Sequence, residues 1–507
     1  MNQRSGTPLW WFLSLLTVAV HLTAGWMGGY GIFRDELYYI ACANHPGIGY
    51  VDHPPASIWL LSVWRFLFGE SLFSIRVLPA LCSGLTTFIV GTIARGFGGE
   101  RYAAVLACLA SMFAPIFLAF FGIFSMNAFD VLLWALAFLT VQRFSQNHQP
   151  KDWYVLGLLV GLGALNKISM LWLGAGIFIG ILLTPSRAAL RSRAPWVGGL
   201  LALVLFLPFV LWNITHDFAH LEFIRNASAE KYASQNPATF FSGLLMIMNP
   251  LAAPLWLTGF WFLLARSERR IIGFAVLVVL AVLLVNVHSK PEYFASAMTA
   301  LLPAGAVQLE RLLKGKYLRW IRLPYAVCLT AFGVLLLPLT VDILPVESFL
   351  RYQSALGLTP SSNEGHQLTS LPQHYADRFG WEQMAMATAH VYAALPDSDK
   401  QKCLIYGRNY GEAGAVDFFG REFGLPPAIS QHNSYWYWSL EHLKQDVTII
   451  VICVSKDQLV GDFEEVQEAG IIRSDYAMPY ENNLAIFICR KLRRPIREVW
   501  NERRIFI

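Results

Sequence analysis

The chain has 507 residues, 55% of them hydrophobic and only 14% charged, where an average soluble domain carries roughly 25% charged residues. Residues 1–341 hold 23 Lys and Arg against 13 Asp and Glu, a net of +10, whereas residues 342–507 hold 16 against 21, a net of −5. That division excludes a single soluble domain, a disordered chain and a basic nucleic-acid binder, because the positive charge lies between apolar runs rather than on one face.

The pattern predicts a polytopic α-helical membrane body over 1–341 and an acidic, water-soluble α/β domain over 342–507. Eleven apolar runs approach the roughly 20 residues needed to cross about 30 Å of hydrocarbon. They cover 9–30, 76–94, 102–121, 126–142, 153–166, 168–184, 196–212, 240–265, 271–287, 293–309 and 320–341. The first follows Arg4 and has some features of a signal peptide, but no small-x-small site closes it cleanly, so it reads as an uncleaved anchor. With the N-terminus in the cytoplasm, the inner loops collect Arg95, Arg101, Arg143, Lys151, the arginines between 187 and 193, those between 266 and 270, and the basic cluster from Arg311 to Arg319, as the positive-inside rule asks. An odd number of spans then places residues 342–507 outside. The expected location is the plasma (inner) membrane, with an extracytoplasmic or periplasmic C-terminal domain.

Carboxylates sort the other way. Asp35, Glu36, Asp52, Glu70, Asp130, Asp217, Glu222, Glu230 and Glu292 fall on or near the outer side, joined by His45, His53, His216, His220 and His288. Such groups are costly near hydrocarbon and persist for function, so their clustering points to chemistry or ion binding at that surface. A transport pathway would need them near mid-span, and only Asp130 comes close. The first outer loop, 31–75, reads FRDELYY, then GYVDHPP, then the apolar stretch 56–68. Thirteen residues are too few to span; with Ile58, Leu61, Trp64 and Phe68 along one side, this stretch predicts a helix lying in the interface, started by Pro54 and Pro55. The Asp35 and Glu36 pair and the Asp52–His53 pair would then put acid–base groups at headgroup depth, where a lipid-linked substrate presents its phosphate. The plain alternative for Asp35 and Glu36 is capping of the helix that carries Tyr38 and Tyr39.

Farther along, the tail alternates helical and strand patterns: helices near 373–395, 410–420 and 458–469, and strands near 402–406, 446–453, 470–475 and 484–490. Gly407, Gly411 and Gly414 do not have GxGxxG spacing, so no dinucleotide cofactor is expected. Tyr435, Trp436, Tyr437 and Trp438 could stack on sugars, touch the membrane or fill a core. Seven cysteines without a CxxC pair exclude a disulfide scaffold or a zinc ribbon.

Taken in order, several short motifs resemble glycosyltransferase family 39. They are Asp35–Glu36, the Asp-His-Pro-Pro of 52–55, the Arg-x-Leu-Pro of 76–79, Asn127 with Asp130, Lys167, WNITHDF at 212–218, Asn249–Pro250 and KPEY at 290–293. This GT-C group contains the protein O-mannosyltransferases and, more distantly, the lipid A aminoarabinose transferase. LPQHYADRFGWE, NYGEAGAVDFFG and SQHNSYWYW in the tail look like the extra domain of bacterial members. The resemblance implies a polyprenyl-phosphate sugar donor, an outward-facing site and a single displacement with inversion at the anomeric carbon. It implies Asp35 as general base, with Glu36 beside it tuning it or binding acceptor or metal. A lipid phosphate leaving group calls for cations: Arg76, Lys167 and Lys290, with Tyr293, are the candidates, and Arg225 is a further one. Snorkelling to headgroups is the alternative for each. Asp52, His53 and Asp130 are expected to position the acceptor or an ion. His53 and the i,i+4 pair His216 and His220 have metal-ligand spacing with Asp52 or Glu36, so a divalent ion is left open as a cofactor. Expected partners are the donor, a lipid, glycan or protein acceptor and membrane lipids, but no nucleic acid. The alternative function is a lipid or glycan transporter or flippase without transferase activity.

Overall fold

Each of the eleven apolar runs forms a helix or a broken pair of helices in the computed structural model, which describes residues 9–27, 29–231, 234–360 and 367–507. Arg4 lies outside the described residues. Five helices are long and apolar enough to cross a membrane: Trp10–Met27, Leu72–Gly96, Met126–Asn147, Ala194–Thr215 and Leu318–Leu339. Three runs break in two. Arg101–Met112 with Pro115–Gly122 bends by 61°, while Ser169–Leu182 with Pro185–Arg191 and Pro237–Ile247 with Pro250–Leu264 each bend by 102°. Length and composition therefore support five to eight crossings among the described residues, fewer than the eleven expected. A proline opens the second piece of each broken run, and its missing N–H and fixed φ stop the first helix from continuing. Hydropathy alone does not register that break. Lys151–Asn166 and Arg270–Val285, of 16 residues each, and Met298–Leu312, of 15, are apolar but shorter than a full crossing. The chain is a multi-pass membrane protein.

Leu72–Gly96 and Met126–Asn147 form the centre of the bundle, 72% buried, whereas Ala194–Thr215 is 22% buried and offers its apolar surface to lipid. Ala253–Leu264 and Met298–Leu312 approach so closely that a Cβ on Gly305 would collide with the Leu255 carbonyl, the small-residue contact by which membrane helices pack. Between the first two long helices lies the loop 31–75. It forms two helices, Arg34–Asn44 and Ala56–Phe68, the second with the predicted limits. Ile58 and Leu61 face inward with no exposure, while Phe66 and Phe68 are exposed. Phe68 packs on Trp64, ring centroids 4.3 Å apart, but at the last turn of the helix it remains exposed, and Gly69 ends the helix with φ of 78°.

The tail folds on a five-stranded sheet of order β2-β1-β3-β5-β4, with β1 Cys403–Tyr406, β2 Ala428–Ile429, β3 Thr448–Cys453, β4 Phe463–Ile472 and β5 Leu484–Leu492. β1 runs parallel to β2 and β3, and β5 runs antiparallel to β3 and β4. Three expectations are corrected here. The helix placed at 458–469 is a turn that leads, from Phe463, into the first part of β4, and the strand expected at 470–475 is only the continuation of β4 to Ile472. β4 is an edge strand whose acidic residues face water, and Glu464, Glu465 and Glu468 imitate the polar face of a helix. The single helix at 373–395 is two, Gln373–Ala376 and Trp381–Ala393, separated at Gly380 with φ of 94°. The helix Tyr410–Phe419 lies against Arg34–Asn44, where Gly414 lets the backbones meet beside Leu37. Buried side chains form one continuous core from the bundle through the loop into the sheet.

Candidate active site

The loop helix Arg34–Asn44 begins at Phe33, whose N–H donates to Glu36 Oε2 at 3.0 Å, a capping-box bond. The same carboxylate takes two bonds from Arg76, Nε to Oε1 at 3.0 Å and Nη2 to Oε2 at 2.7 Å, and one from the Phe124 N–H at 2.8 Å. Glu36 is 1% exposed and Arg76 6%. Beyond Arg76, Asp342 lies at 3.8 Å and is itself paired with Arg378 at 2.7 Å. Glu36 and Arg76 thus face each other inside the fold and pin the loop to the bundle and the tail. Arg76, expected as a donor-phosphate ligand, spends two of its donors on this buried carboxylate, which requires a charged partner with matching bidentate geometry.

Asp35, one residue earlier, turns the other way. Its side chain is 41% exposed, Arg34 Nε lies 3.7 Å from Oδ1, and the Tyr410 hydroxyl donates to Oδ1 at 2.9 Å. Arg34 in turn donates to the Tyr480 hydroxyl at 2.8 Å, and its backbone N–H donates to the Asp377 carbonyl at 3.0 Å. Adjacent helical residues point about 100° apart, so one carboxylate can serve the interior while its neighbour faces outward.

Asp52 receives the Tyr38 hydroxyl at 2.8 Å, and the His53 ring nitrogen Nε2 lies 4.0 Å from the same oxygen. Burial pushes the Tyr38 hydroxyl well above its ordinary range, so it stays a neutral donor. His53 is 1% exposed; Nδ1 is 2.9 Å from the Pro54 carbonyl, Nε2 is 3.8 Å from Cys42 Sγ, and its ring stacks on Tyr39 at 5.0 Å. The Tyr39 hydroxyl accepts from the Met126 N–H at 3.5 Å.

Next to Met126, Asn127 Oδ1 receives Lys167 Nζ at 2.7 Å, and Lys167 sits 5.5 Å over the Tyr293 ring. Asp130, one helical turn on, is 3% exposed and accepts from Ser169 at 2.8 Å, Ser296 at 2.7 Å and Trp134 at 3.1 Å. Its carboxylate and that of Glu292 both act electrostatically on Lys167. Lys290 opens the 3₁₀ turn Pro291–Ala297 that carries Tyr293 and Ser296. Tyr39 thus touches His53 by its ring and, through the Met126 N–H, adjoins the segment that carries Asn127 and its partner Lys167.

Other candidates lie elsewhere. Arg225 lines a separate polar cavity of about 560 Å³ with Asp217, Glu222 and Arg504. His216 Nδ1 is 2.8 Å from the Trp212 carbonyl, and His220 Nδ1 is 2.9 Å from that of Val51. Among the described residues no three His, Cys, Asp or Glu side chains converge as a metal site, and Asp52, His53 and Glu36 are each turned to protein partners. These residues do not fit a divalent ion. Of the aromatic run, Tyr435 is buried with its hydroxyl on Asp417 at 2.6 Å, and Trp438 stacks on His45 at 4.5 Å, which makes the run part of the packing between tail and loop.

Sequence reasoning missed Tyr38, Arg34 and Tyr410. Tyr38 follows the acidic pair by two residues and could have been suspected as its neighbour. Tyr410 lies 375 residues from Asp35, and no local pattern announces that contact.

Residues 52–212 match the family model described as dolichyl-phosphate-mannose-protein mannosyltransferase. The lipid A galacturonosyltransferase RgtD of Rhizobium johnstonii is 26% identical over 423 residues, covering 78% of this chain and 84% of that protein. Undecaprenyl phosphate-α-4-amino-4-deoxy-L-arabinose arabinosyl transferase 1 of Pseudomonas fluorescens is 25% identical over 299 residues, so the chain spans about half of it, 53%, from 54% of its own length. The crystal structure of ArnT from Cupriavidus metallidurans bound to undecaprenyl phosphate superposes with a TM-score of 0.62 at 14% identity, covering 94% of this chain and 97% of that one. That likeness establishes the GT-C architecture: a helical membrane body followed by a small sheet-containing domain.

Proposed function

We infer that this chain, a GT-C membrane glycosyltransferase, moves a sugar from a polyprenyl-phosphate donor to an acceptor hydroxyl or phosphate at the outer face of the membrane, with inversion. The relatives named above are transferases, which favours this reading over a transporter. One observation supports the site: a half-exposed carboxylate, Asp35, lies on the helix whose Tyr39 hydroxyl accepts from the Met126 N–H, next to the Asn127 that holds Lys167, and the second helix of the same loop carries exposed apolar side chains.

In the proposed step the acceptor hydroxyl oxygen attacks the anomeric carbon from the face opposite the phosphate. The O–C1 bond forms as the C1–O(phosphate) bond breaks, Asp35 takes the acceptor proton, and the polyprenyl phosphate departs with the bonding pair. Lys167, with Asn127, Tyr293 and Lys290, is proposed to hold that phosphate, a charge that grows as the bond breaks and so is stabilised most in the transition state. Asp52 and His53 are proposed to position the acceptor. Asp130 is proposed to orient Ser169 and Ser296 beside Lys167. Glu36 and Arg76 are proposed to hold the loop rather than touch substrate. With an acidic tail outside and the N-terminus in the cytoplasm, the site would face the periplasmic or extracellular side.

Asp35→Asn keeps size and can still accept the Tyr410 hydrogen bond, but it cannot take up the acceptor proton. Turnover should fall by roughly 10² to 10⁴ while donor binding and folded yield persist. Mass spectrometry of lipid A and other envelope glycans from cells carrying wild type or Asp35→Asn reads the sugar and the acceptor together. A product still made at wild-type level by Asp35→Asn would remove Asp35 as the base.

A further inference from the structure

The helix that meets the proposed base comes from the C-terminal domain, not from the membrane bundle. Its first residue, Tyr410, is fixed on several sides. Asn409 caps the helix, its Oδ1 accepting from the N–H groups of Gly411 at 2.8 Å and Glu412 at 3.0 Å. The Tyr410 N–H donates to His432 Nδ1 at 3.3 Å. The phenol ring lies 4.7 Å from Tyr38 and 4.7 Å from His432, with the Arg34 guanidinium 5.6 Å away. Gly411 leaves no space for a side chain between Arg34 and Trp381, so the start of the helix is pressed onto the loop. A ring clamped in this way has one orientation for its hydroxyl, and that orientation ends 2.9 Å from Asp35 Oδ1.

We propose that Tyr410 is a positioning residue for sugar transfer: its hydroxyl holds Asp35 by one oxygen and leaves the second oxygen directed at the acceptor. The proposal rests on Asp35 being the base. Among the described residues Oδ2 takes no hydrogen bond, and the side chain is 41% exposed, so a solvated carboxylate would otherwise rotate. The charged and titratable groups that face it are Arg34 and Tyr39 from its own helix and Tyr410 from the tail. Asp377 and Tyr480 reach it only through Arg34, and His432 only through Tyr410. Glu36 is turned away to Arg76. A donor aimed at one carboxylate oxygen fixes the direction of the other before the acceptor arrives. The tail then completes a site whose other groups all belong to the membrane part, which gives the long-range packing of the helix Tyr410–Phe419 on the loop a catalytic consequence.

The test compares the full chain as wild type, Tyr410→Phe, Asp35→Asn and the double variant, with purified polyprenyl-phosphate donor in detergent. Tyr410→Phe keeps the ring and its packing. It should lower kcat about tenfold to a hundredfold with the donor KM unchanged, as expected for loss of one hydrogen bond to a charged group, and it should move the acidic limb of the kcat–pH profile to higher pH. The double variant should lose no more than Asp35→Asn alone, because Tyr410 acts through that carboxylate. A wild-type kcat and pH limb in Tyr410→Phe, or a further loss in the double variant, would overturn the inference while leaving Asp35 as base. Full activity in Asp35→Asn would instead sink the reading beneath it. If Tyr410→Phe fails to fold, 3-fluorotyrosine at position 410 replaces it. A more acidic hydroxyl should move the limb to lower pH, and an unmoved limb counts against the proposal.

Discussion

Neighbouring residues of one dipeptide take opposite roles, and their surroundings say why. Asp35 has water on one side, whereas Glu36 accepts four hydrogen bonds from Arg76, Phe33 and Phe124 with no exposure of its side chain. Removing one member of such a buried pair leaves the other charged and unpaired, a cost of about 3 to 5 kcal/mol. Arg76→Ala and Glu36→Ala should therefore lower the melting temperature and the yield of folded protein in detergent, with whatever folds retaining its donor KM. Arg76→Lys should rescue only in part, since a single ammonium cannot give two parallel bonds. Lys167→Ala should show in donor handling as well: besides some loss of stability from leaving the buried Asp130 carboxylate without its cation, the donor KM rises or kcat falls by the equivalent of roughly 1.5 to 3 kcal/mol. A stable Arg76→Ala with weakened donor binding would return Arg76 to the phosphate. From the sequence, the acidic pair was legible as a candidate; which carboxylate would point outward was not, because that depends on Arg76 arriving from a helix 40 residues away.

The elements of the tail show a similar boundary between what local pattern encodes and what packing decides. β1, β3, β5 and the helix Tyr410–Phe419 were readable because their apolar runs are buried on both faces or capped by Asn409. β4 was misread because only its pairing with β5 makes it a strand, and Tyr410 passed unnoticed because its partner lies in another domain. The turn that supports this helix carries a pH dependence of its own. Asn409 donates to Glu481 Oε1 at 2.8 Å, Arg408 binds Glu412 and stands 3.7 Å from Glu481 Oε2, and that oxygen, facing the Glu412 carboxylate, receives no hydrogen bond among the described residues. Burial first, and the Glu412 charge second, hold the Glu481 carboxyl well above its ordinary value of 4.5, so the native chain keeps a proton that the unfolded chain releases once the pH passes 4.5. Stability from this pair is thus present at low pH and declines as pH rises from 4.5 toward the native value. Glu481→Gln keeps a donor in place at every pH. Its melting temperature should equal that of wild type near pH 4 and exceed it increasingly toward neutrality; a gap that is constant or shrinks with pH would show that no proton is held there.

Across the whole molecule, charge divides by end, and the division is spatial as well as sequential. At one end Lys314 meets Glu100 at 3.2 Å, Arg311 donates to the Phe97 carbonyl, and Arg269 and Arg311 both lie over Phe262, so the loops around 97–100, 265–270 and 311–321 form one basic surface. At the other, the Tyr437 hydroxyl reaches the His216 carbonyl, Arg504 pairs with Glu222, and the tail covers the loop that holds Asp35 and Asp52. A membrane protein that gathers its basic loops at one end keeps that end in the cytoplasm. The tail and the proposed site should then be on the far side, where a polyprenyl-phosphate sugar already carried across the membrane would meet its acceptor. The assignment does not depend on how many of the broken or short helices cross, since the basic loops and the tail sit at opposite ends of the same helices. A reporter that is active only outside the cytoplasm, fused after residue 507, should give signal, and one active only in the cytoplasm should stay silent. Cysteine labelling gives an independent readout: a cysteine placed at exposed Lys316 should be protected from an impermeant maleimide in intact spheroplasts, and one at exposed Glu464 should react. The opposite pattern would put Asp35 on the cytoplasmic side and would require a donor used before it is flipped.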